Sequence, residues 1–432
     1  MCVQGGQDYP KNIKRRGDIP MKDTKKGLNS FGLKGWWVVI FVGLLYYVSS
    51  NAVDLLNVTT TLFAQVKGWD ENALLVFSGL GGWVGVILTL IFGRWIAKKG
   101  VKLPTVIFLV IFAVLYFLNG RVNSVATYGV VVVLLSAVSN SINLVSTNAY
   151  MSNWFPRKKG IALGWSTMGA PISSATCIAI FTGIFAASHG SLANPFLFFA
   201  VLTLVVAIVA LLAVKATPKE AGAYPDNDPA MADVAVENPN SPWTVKKLLG
   251  CKNMWFVALS FGLLFMALVA TMTQFIPRMM ASGFTMDQGT MWLSIASILG
   301  IPGSYLWGVL DQKGGTKLAV VVFAIYMAVM QFLLAIFFGN QVVTLILIVL
   351  LGILIGGICN LLPSMVIQIF GGRNFAAANS VVTPIVVALR TTTFIVMPAI
   401  LTATHGSFQA LSIFYGVLSV IAMVFALLMT KE

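Results

Sequence analysis

The chain has 432 residues, of which 58% are hydrophobic and only 10% are charged. A soluble domain carries roughly 25% charged residues, so this composition excludes a soluble fold. The apolar runs continue for about 20 residues instead of alternating over about 10, which excludes a β-barrel and leaves membrane-spanning helices.

Residues 1–34 are polar and basic and contain no apolar segment. They read as a cytoplasmic tail and not as a cleaved signal peptide. Stretches of membrane length follow at 36–60, 74–96, 101–118, 127–150, 160–186 and 195–214. A polar stretch rich in Pro, Asp, Asn and Ala then separates them from a second set at 254–276, 288–309, 317–338, 342–369, 375–401 and 408–429. The expected organisation is a tail (1–34), a first six-helix half (35–215), a cytoplasmic linker (216–252) and a second six-helix half (253–432).

The net charge of +14 is compatible with nucleic-acid binding, but the placement of the basic residues argues against it. With the tail inside, 24 of the 28 lysines and arginines fall in inner segments and only Lys67, Arg121 and Arg278 in outer ones. That asymmetry is the positive-inside rule. It puts both termini in the cytoplasm, across an inner membrane, and leaves Arg390 alone inside a span. Cys2, Cys177, Cys251 and Cys359 form no C-x-x-C pair and read as small apolar filler. His189 and His405 fall in outer loops, each before a glycine, and no phosphate-binding glycine loop is present. No catalytic cluster, metal site or cofactor is expected, and gradients remain as the energy source.

The two halves match each other at an offset of 215 residues: Gly68 meets Gly283, Gly85 meets Gly300, Gly93 meets Gly308, Gly100 meets Gly315, and Lys102 meets Lys317. Each unit has an even number of spans, so the copies share one orientation and would enclose a central cavity as parallel repeats. The predicted fold is therefore an all-α membrane protein with twelve transmembrane helices in two pseudo-repeat halves.

With that topology, the segment G-R-W-I-A-K-K-G-V-K (Gly93 to Lys102) resembles the loop after the second helix in the major facilitator superfamily. Gly93, Gly100 and Lys102 fit the pattern, Lys98 stands for its arginine, and Ala97 replaces its aspartate. The second half keeps an aspartate, Asp311, followed by Gly314, Gly315 and Lys317. The resemblance implies a gating role for Gly93, Lys98, Gly100, Lys102, Asp311, Gly314 and Lys317. The stretch N-W-F-P-R-K-K-G-I-A-L-G (Asn153 to Gly164) is similar to the loop between helices 4 and 5 of oxalate/formate antiporters and monocarboxylate porters.

Charges within spans are costly and point to function. Asp54 and Arg390 are the two here, and rises of 1.5 Å per residue put both at similar depth in the outer half. Whether they pair is open at this stage. Ser50, Asp54, Asn57 and Thr61 share one helical face, as do Asn379, Thr383 and Arg390. Ser136, Asn140, Asn143 and Thr147 follow helical spacing in the fourth span, and Asn360, Ser364 and Gln368 in the tenth. The resemblance implies that helices 1, 4, 7 and 10 line the cavity. Substrate contacts are expected from Arg390, Asn140, Asn143, Asn360, Ser364, Gln274 and Thr383, with Asp54 carrying a proton. The aromatic residues Tyr46, Trp165, Trp292, Tyr305 and Trp307 read as packing or interface anchors. The expected function is gradient-driven transport of a small organic anion, a carboxylate, by a monomer in contact with lipid, with protons or a counter-anion as co-substrate. Two alternatives are a proton-coupled transporter of a neutral or cationic solute, drug efflux included, and a non-transporting receptor.

Overall fold

The computed structural model describes residues 29–69, 71–231 and 241–430. Residues 1–28 of the expected tail, and the side chains of Asn57, Thr61 and Arg373, lie outside the described residues. Among the described residues all regular structure is helical.

Among the described residues twelve helices are long and apolar enough to cross a membrane: α1 (Gly32–Asp54), α2 (Val76–Lys99), α3 (Lys102–Asn119), α4 (Val125–Trp154), α5 (Lys159–Ala187), α6 (Ala193–Leu212), α7 (Lys252–Thr273), α8 (Gln288–Gly314), α9 (Thr316–Ile336), α10 (Gln341–Phe370), α11 (Ala377–Ala403) and α12 (Phe408–Leu428). Consecutive spans run in opposite directions, so the start of α1, the end of α6 and the stretch between α6 and α7 share one end of the bundle, the linker end. The other is the far end.

Two spans are shorter than their apolar runs suggest. α1 is interrupted at Leu55, whose φ and ψ of −66° and −25° stay helical, and continues as the helix Leu56–Lys67. No proline or glycine marks that interruption, and the Leu55 N–H still bonds the Asn51 carbonyl at 2.9 Å. α7 stops at Thr273, and Phe275–Ala281 forms a further short helix. Its Arg278, expected in an outer loop, is buried beside the Phe408 ring at 5.9 Å.

Helix ends follow capping chemistry. Ser124 with Thr127, and Thr285 with Gln288, close reciprocal capping boxes at the far end. The repeat appears in the backbone as well. Gly68 and Gly283 have φ of +69° and +91°, and Gly100 and Gly315 have +77° and +89°, in the left-handed region that glycine enters without strain. One residue out of that register, His189–Gly190 and His405–Gly406 repeat the same pair of positive φ values, 54° and 81° against 52° and 82°.

Buried apolar side chains form two clusters, one drawn from residues 31–216 and one from 248–429. They meet where α5 packs on α8 and where α2 packs on α11. Glycines let these helices approach closely. A methyl group on Gly308 would lie 2.7 Å from the Gly160 carbonyl oxygen and 2.8 Å from the Gly164 Cα. At the same level Trp165 and Tyr305 pack across the boundary with ring centroids 4.9 Å apart.

After α6 the chain folds back under the first half. The Asp226 carboxylate accepts the N–H groups of Arg157 and Lys158 at 2.9 Å each, at the start of α5. Burial pushes this carboxyl up to about 6, against the opposing pull of those two bonds. Arg157 also approaches Asp228 at 3.8 Å.

Candidate functional site

Between the halves lies a cavity of about 160 Å³. Ser49, Ser50 and Asp54 of α1 line it, with Ser139, Asn140 and Asn143 of α4. Ala170 and Ser174 of α5, Phe265, Met272 and Thr273 of α7, Ile355 and Cys359 of α10, and Arg390 of α11 complete most of the wall. Its α1 and α7 members come from the far-end parts of those helices. Toward the linker end the α5–α8 glycine contact seals the floor.

Two features of α4 shape its wall. The residues Ile142–Ser146 form a π-helical turn, a single-turn insertion often found at functional sites. Within it, Asn143 donates to the Ser49 hydroxyl at 2.9 Å, and just before it the Ser139 hydroxyl donates to the Ser49 carbonyl at 2.7 Å. These bonds fasten α4 to α1 and fix the Asn140 and Asn143 amides at the cavity.

Arg390 donates through Nη2 to the Asn140 side-chain oxygen, so a residue of each half meets here. The Phe265 ring centroid lies 5.8 Å from its guanidinium carbon. Asp54 is bonded elsewhere: its Oδ2 lies 2.7 Å from the Ser173 hydroxyl, which is also 2.7 Å from the Asn51 side-chain oxygen. No ion pair joins Asp54 and Arg390, although both line the one cavity. The question left open by the sequence is answered here: they are neighbours with separate partners. One hydroxyl proton cannot serve two acceptors. The chain Asp54–Ser173–Asn51 is complete either with a proton on Asp54 or with the Asn51 amide turned to donate to Ser173.

Of the seven residues expected to contact substrate, Arg390, Asn140 and Asn143 reach the cavity. The other four lie apart from it. Thr383 is buried and bonds Asn379 at 2.9 Å, and both face a narrow crevice between α2 and α11. Along α11 they and Arg390 line different spaces, with Pro384 in the helix between them. Asn360 sits below the floor, its amide bridging the Gly160 carbonyl and the Gly308 N–H at 3.0 Å each when its oxygen faces Gly308. Ser364 follows one turn further toward the linker end and is buried. Gln274 follows the end of α7, where the helix stops before turning to its wall. In α10 it is the face of Ile355 and Cys359 that lines the cavity, and not the neighbouring face of Asn360 and Ser364.

Ser173, Asn51, Ser139 and Cys359 were absent from the expected set. Ser139 and Asn51 each adjoin a recognised residue, Asn140 and Ser50, but a single-sequence stripe assigns only one face. Cys359 read as filler, yet it lines the cavity with Arg390.

The gating candidates are spread more widely. Asp311 is buried against Gly160 at the start of α5, across the boundary between halves. Lys317 donates to the Leu427 and Met429 carbonyls at 2.8 Å each. Gly93 faces Ser380 of α11, Gly100 makes the left-handed turn before α3, Gly314 ends α8, and Lys98 is exposed. Lys102 begins α3 and is partly exposed.

A family model described as Major Facilitator Superfamily matches residues 40–390. The chain belongs to the Major Facilitator Superfamily. Its fold is shared with solved members at low identity. The proton:xylose symporter XylE bound to 6-bromo-6-deoxy-D-glucose superimposes with a TM-score of 0.72 at 15% identity, over 91% of this chain and 95% of that one. The transporter FucP in the outward conformation gives 0.69 at 14%, over 91% and 99%. An asparagine-to-alanine variant of the E. coli fucose:proton symporter FucP gives 0.67 at 13%, over 92% and 98%. No curated protein sequence matches the chain.

Proposed function

We propose that this superfamily member is a secondary active transporter that moves a small organic anion, a monocarboxylate, by alternating access across the cytoplasmic membrane. The observation that carries the reading is Arg390. It brings a cation into the membrane, lines the central cavity, and has a neutral amide as its hydrogen-bond partner. A guanidinium at hydrocarbon depth costs at least about 2.5 kcal/mol even on lenient scales. A carboxylate substrate would offset that cost, and the planar fork of arginine suits it. One such cation favours a single carboxylate over two. The similarity of Asn153–Gly164 to oxalate/formate antiporters and monocarboxylate porters agrees with this assignment.

In the same reading the linker end is cytoplasmic, from the distribution of basic residues. Residues 35–215 and 253–432 rock about the cavity, and Asp54 exchanges the coupling proton through Ser173. A second reading is a proton-coupled transporter of a neutral polyol. It is favoured by the Asp54–Ser173–Asn51 chain and by the sugars in the names of the similar solved symporters.

A thermal-shift screen of purified protein against monocarboxylates and sugars separates the two, because a ligand of the folded state raises its stability by mass action. The anion reading predicts that a carboxylate raises the melting temperature of wild type. Arg390→Lys folds, binds the carboxylate more weakly and keeps some transport. Arg390→Ala folds and loses both the response and transport. A sugar response that survives Arg390→Ala, with no carboxylate response in wild type, refutes it.

A further inference from the structure

A second and larger cavity, about 590 Å³, lies at the linker end on the outer wall of the first half. Its size is within the range of ligand sites, roughly 300–1,000 Å³. It opens where α1 begins, beside the end of α6 and the first turns after it. Trp37 and Trp154 form two of its walls, and their indoles are already satisfied. Trp37 donates to the Ala213 carbonyl and Trp154 to the Lys215 carbonyl, each at 3.2 Å. The wall is therefore built without any occupant, and the exposed Trp37 indole presents an apolar face to the space, backed by the buried Trp154. Ile40 adds a further apolar edge and is 54% exposed on the lipid side of α1.

The rim carries charge. Lys34 donates to the Ala221 and Gly222 carbonyls at 2.5 and 3.2 Å, which holds its ammonium at the cavity with one N–H to spare. Lys215 stands exposed on the same rim. Glu220 is the opposing carboxylate, and it accepts the Ala216 N–H at 3.2 Å. The balance is two cations to one anion. Apolar walls on the lipid side, tryptophans at the level of the membrane interface, and a net positive rim fit a molecule with an apolar tail and a negatively charged head.

We propose that this cavity is a binding site for an anionic glycerophospholipid of the linker-end leaflet. The phosphate lies between Lys34 and Lys215, and the glycerol and first acyl carbons lie along Trp37 and Ile40. Because Lys34 already holds the carbonyls of Ala221 and Gly222, the lipid would join the start of α1 to the segment that carries Asp226.

The test uses the full chain purified in detergent with equal amounts of phosphatidylglycerol and phosphatidylcholine, with retained lipid counted by native mass spectrometry. One net positive charge near an anionic headgroup predicts about a fivefold preference for phosphatidylglycerol. The double variant Lys34→Gln with Lys215→Gln should remove that preference. Ile40→Trp, which alters neither lysine, fills the cavity from the lipid side and should lower phosphatidylglycerol retention as well. It decides alone should the double variant not fold. Equal retention of the two lipids by wild type overturns the proposal. So does unchanged phosphatidylglycerol retention in Ile40→Trp, or displacement of the lipid by soluble glycerol phosphate at equal concentration.

Discussion

Replacing Gly308 with alanine tests how the linker end closes. The added methyl would stand 2.7 Å from the Gly160 oxygen, 2.8 Å from the Gly164 Cα and 3.1 Å from the Asn360 side-chain amide. Two of these neighbours are backbone on the opposing helix, so α5 and α8 must separate. Overpacking of this kind costs about 1–3 kcal/mol. The cost falls only on the state in which the helices touch, so it moves the equilibrium toward opening at the linker end by roughly 5–150-fold. The repeat supplies a control. Gly93 is the counterpart of Gly308, yet a methyl there would first meet the Ser380 Cβ at 3.7 Å, an ordinary contact. Gly93→Ala is expected to leave the equilibrium in place. Cys359 reports the outcome, since it lines the cavity while Cys177 and Cys251 are buried. Proteoliposomes are treated with an impermeant thiol reagent, and alkylation of the Cys359 peptide is quantified by mass spectrometry. Far-end labelling should fall in Gly308→Ala, by at most the factor by which the equilibrium moves, and remain at the wild-type rate in Gly93→Ala. Equal rates in wild type and Gly308→Ala would refute the claim that this glycine contact holds the linker end shut.

Asp54→Asn should abolish uptake driven by a pH gradient while leaving substrate exchange intact, measured with labelled substrate in proteoliposomes; equal loss of both would assign Asp54 to binding or structure. Asp226 has a carboxyl raised to about 6, against about 3.9 in an unfolded chain. Between those values the folded state keeps a proton that the unfolded state has released, so stability falls as pH rises through about 4–6. Melting temperatures across that range should show a shallower fall in Asp226→Asn, and an unchanged slope would remove Asp226 as the source. Single cysteines at Asn123 and Lys246, both exposed, test orientation. An impermeant reagent added outside intact cells should label the first and spare the second, and the reverse pattern would invert the topology.

The spans were legible because their cause is local: twenty apolar residues between polar breaks need no partner to be recognised. The interruption at Leu55 was not, since no glycine or proline marks it and the ladder of hydrogen bonds continues through it. The repeat was legible as matching glycines, and the backbone gives the physical reason at Gly68, Gly100 and their counterparts. Arg390 stood out by charge alone. Its partner Asn140 lies 250 residues away on the other half, and no periodicity within one helix reports such a register. The stripe Asn360–Ser364 had the right spacing but faced the floor, because spacing within one helix does not say which neighbour its polar face will meet. Ser173 lay outside every stripe that was read, and it became visible only once α5 was packed against α1.

The π-helical turn at Ile142–Ser146 has a consequence for how this protein can change over time. One surplus residue in a helix rotates everything beyond it by about 100° relative to a continuous spiral. In α4 the portion before the turn carries Asn140, and the portion after it carries Asn148, Ser152 and Trp154. The two portions therefore answer to different neighbours. Solute selectivity can drift in the upper portion while the lower one keeps its fit to α1 and to the chain beyond α6. A lineage that lost the surplus residue would have to choose, since restoring one face would turn the other away.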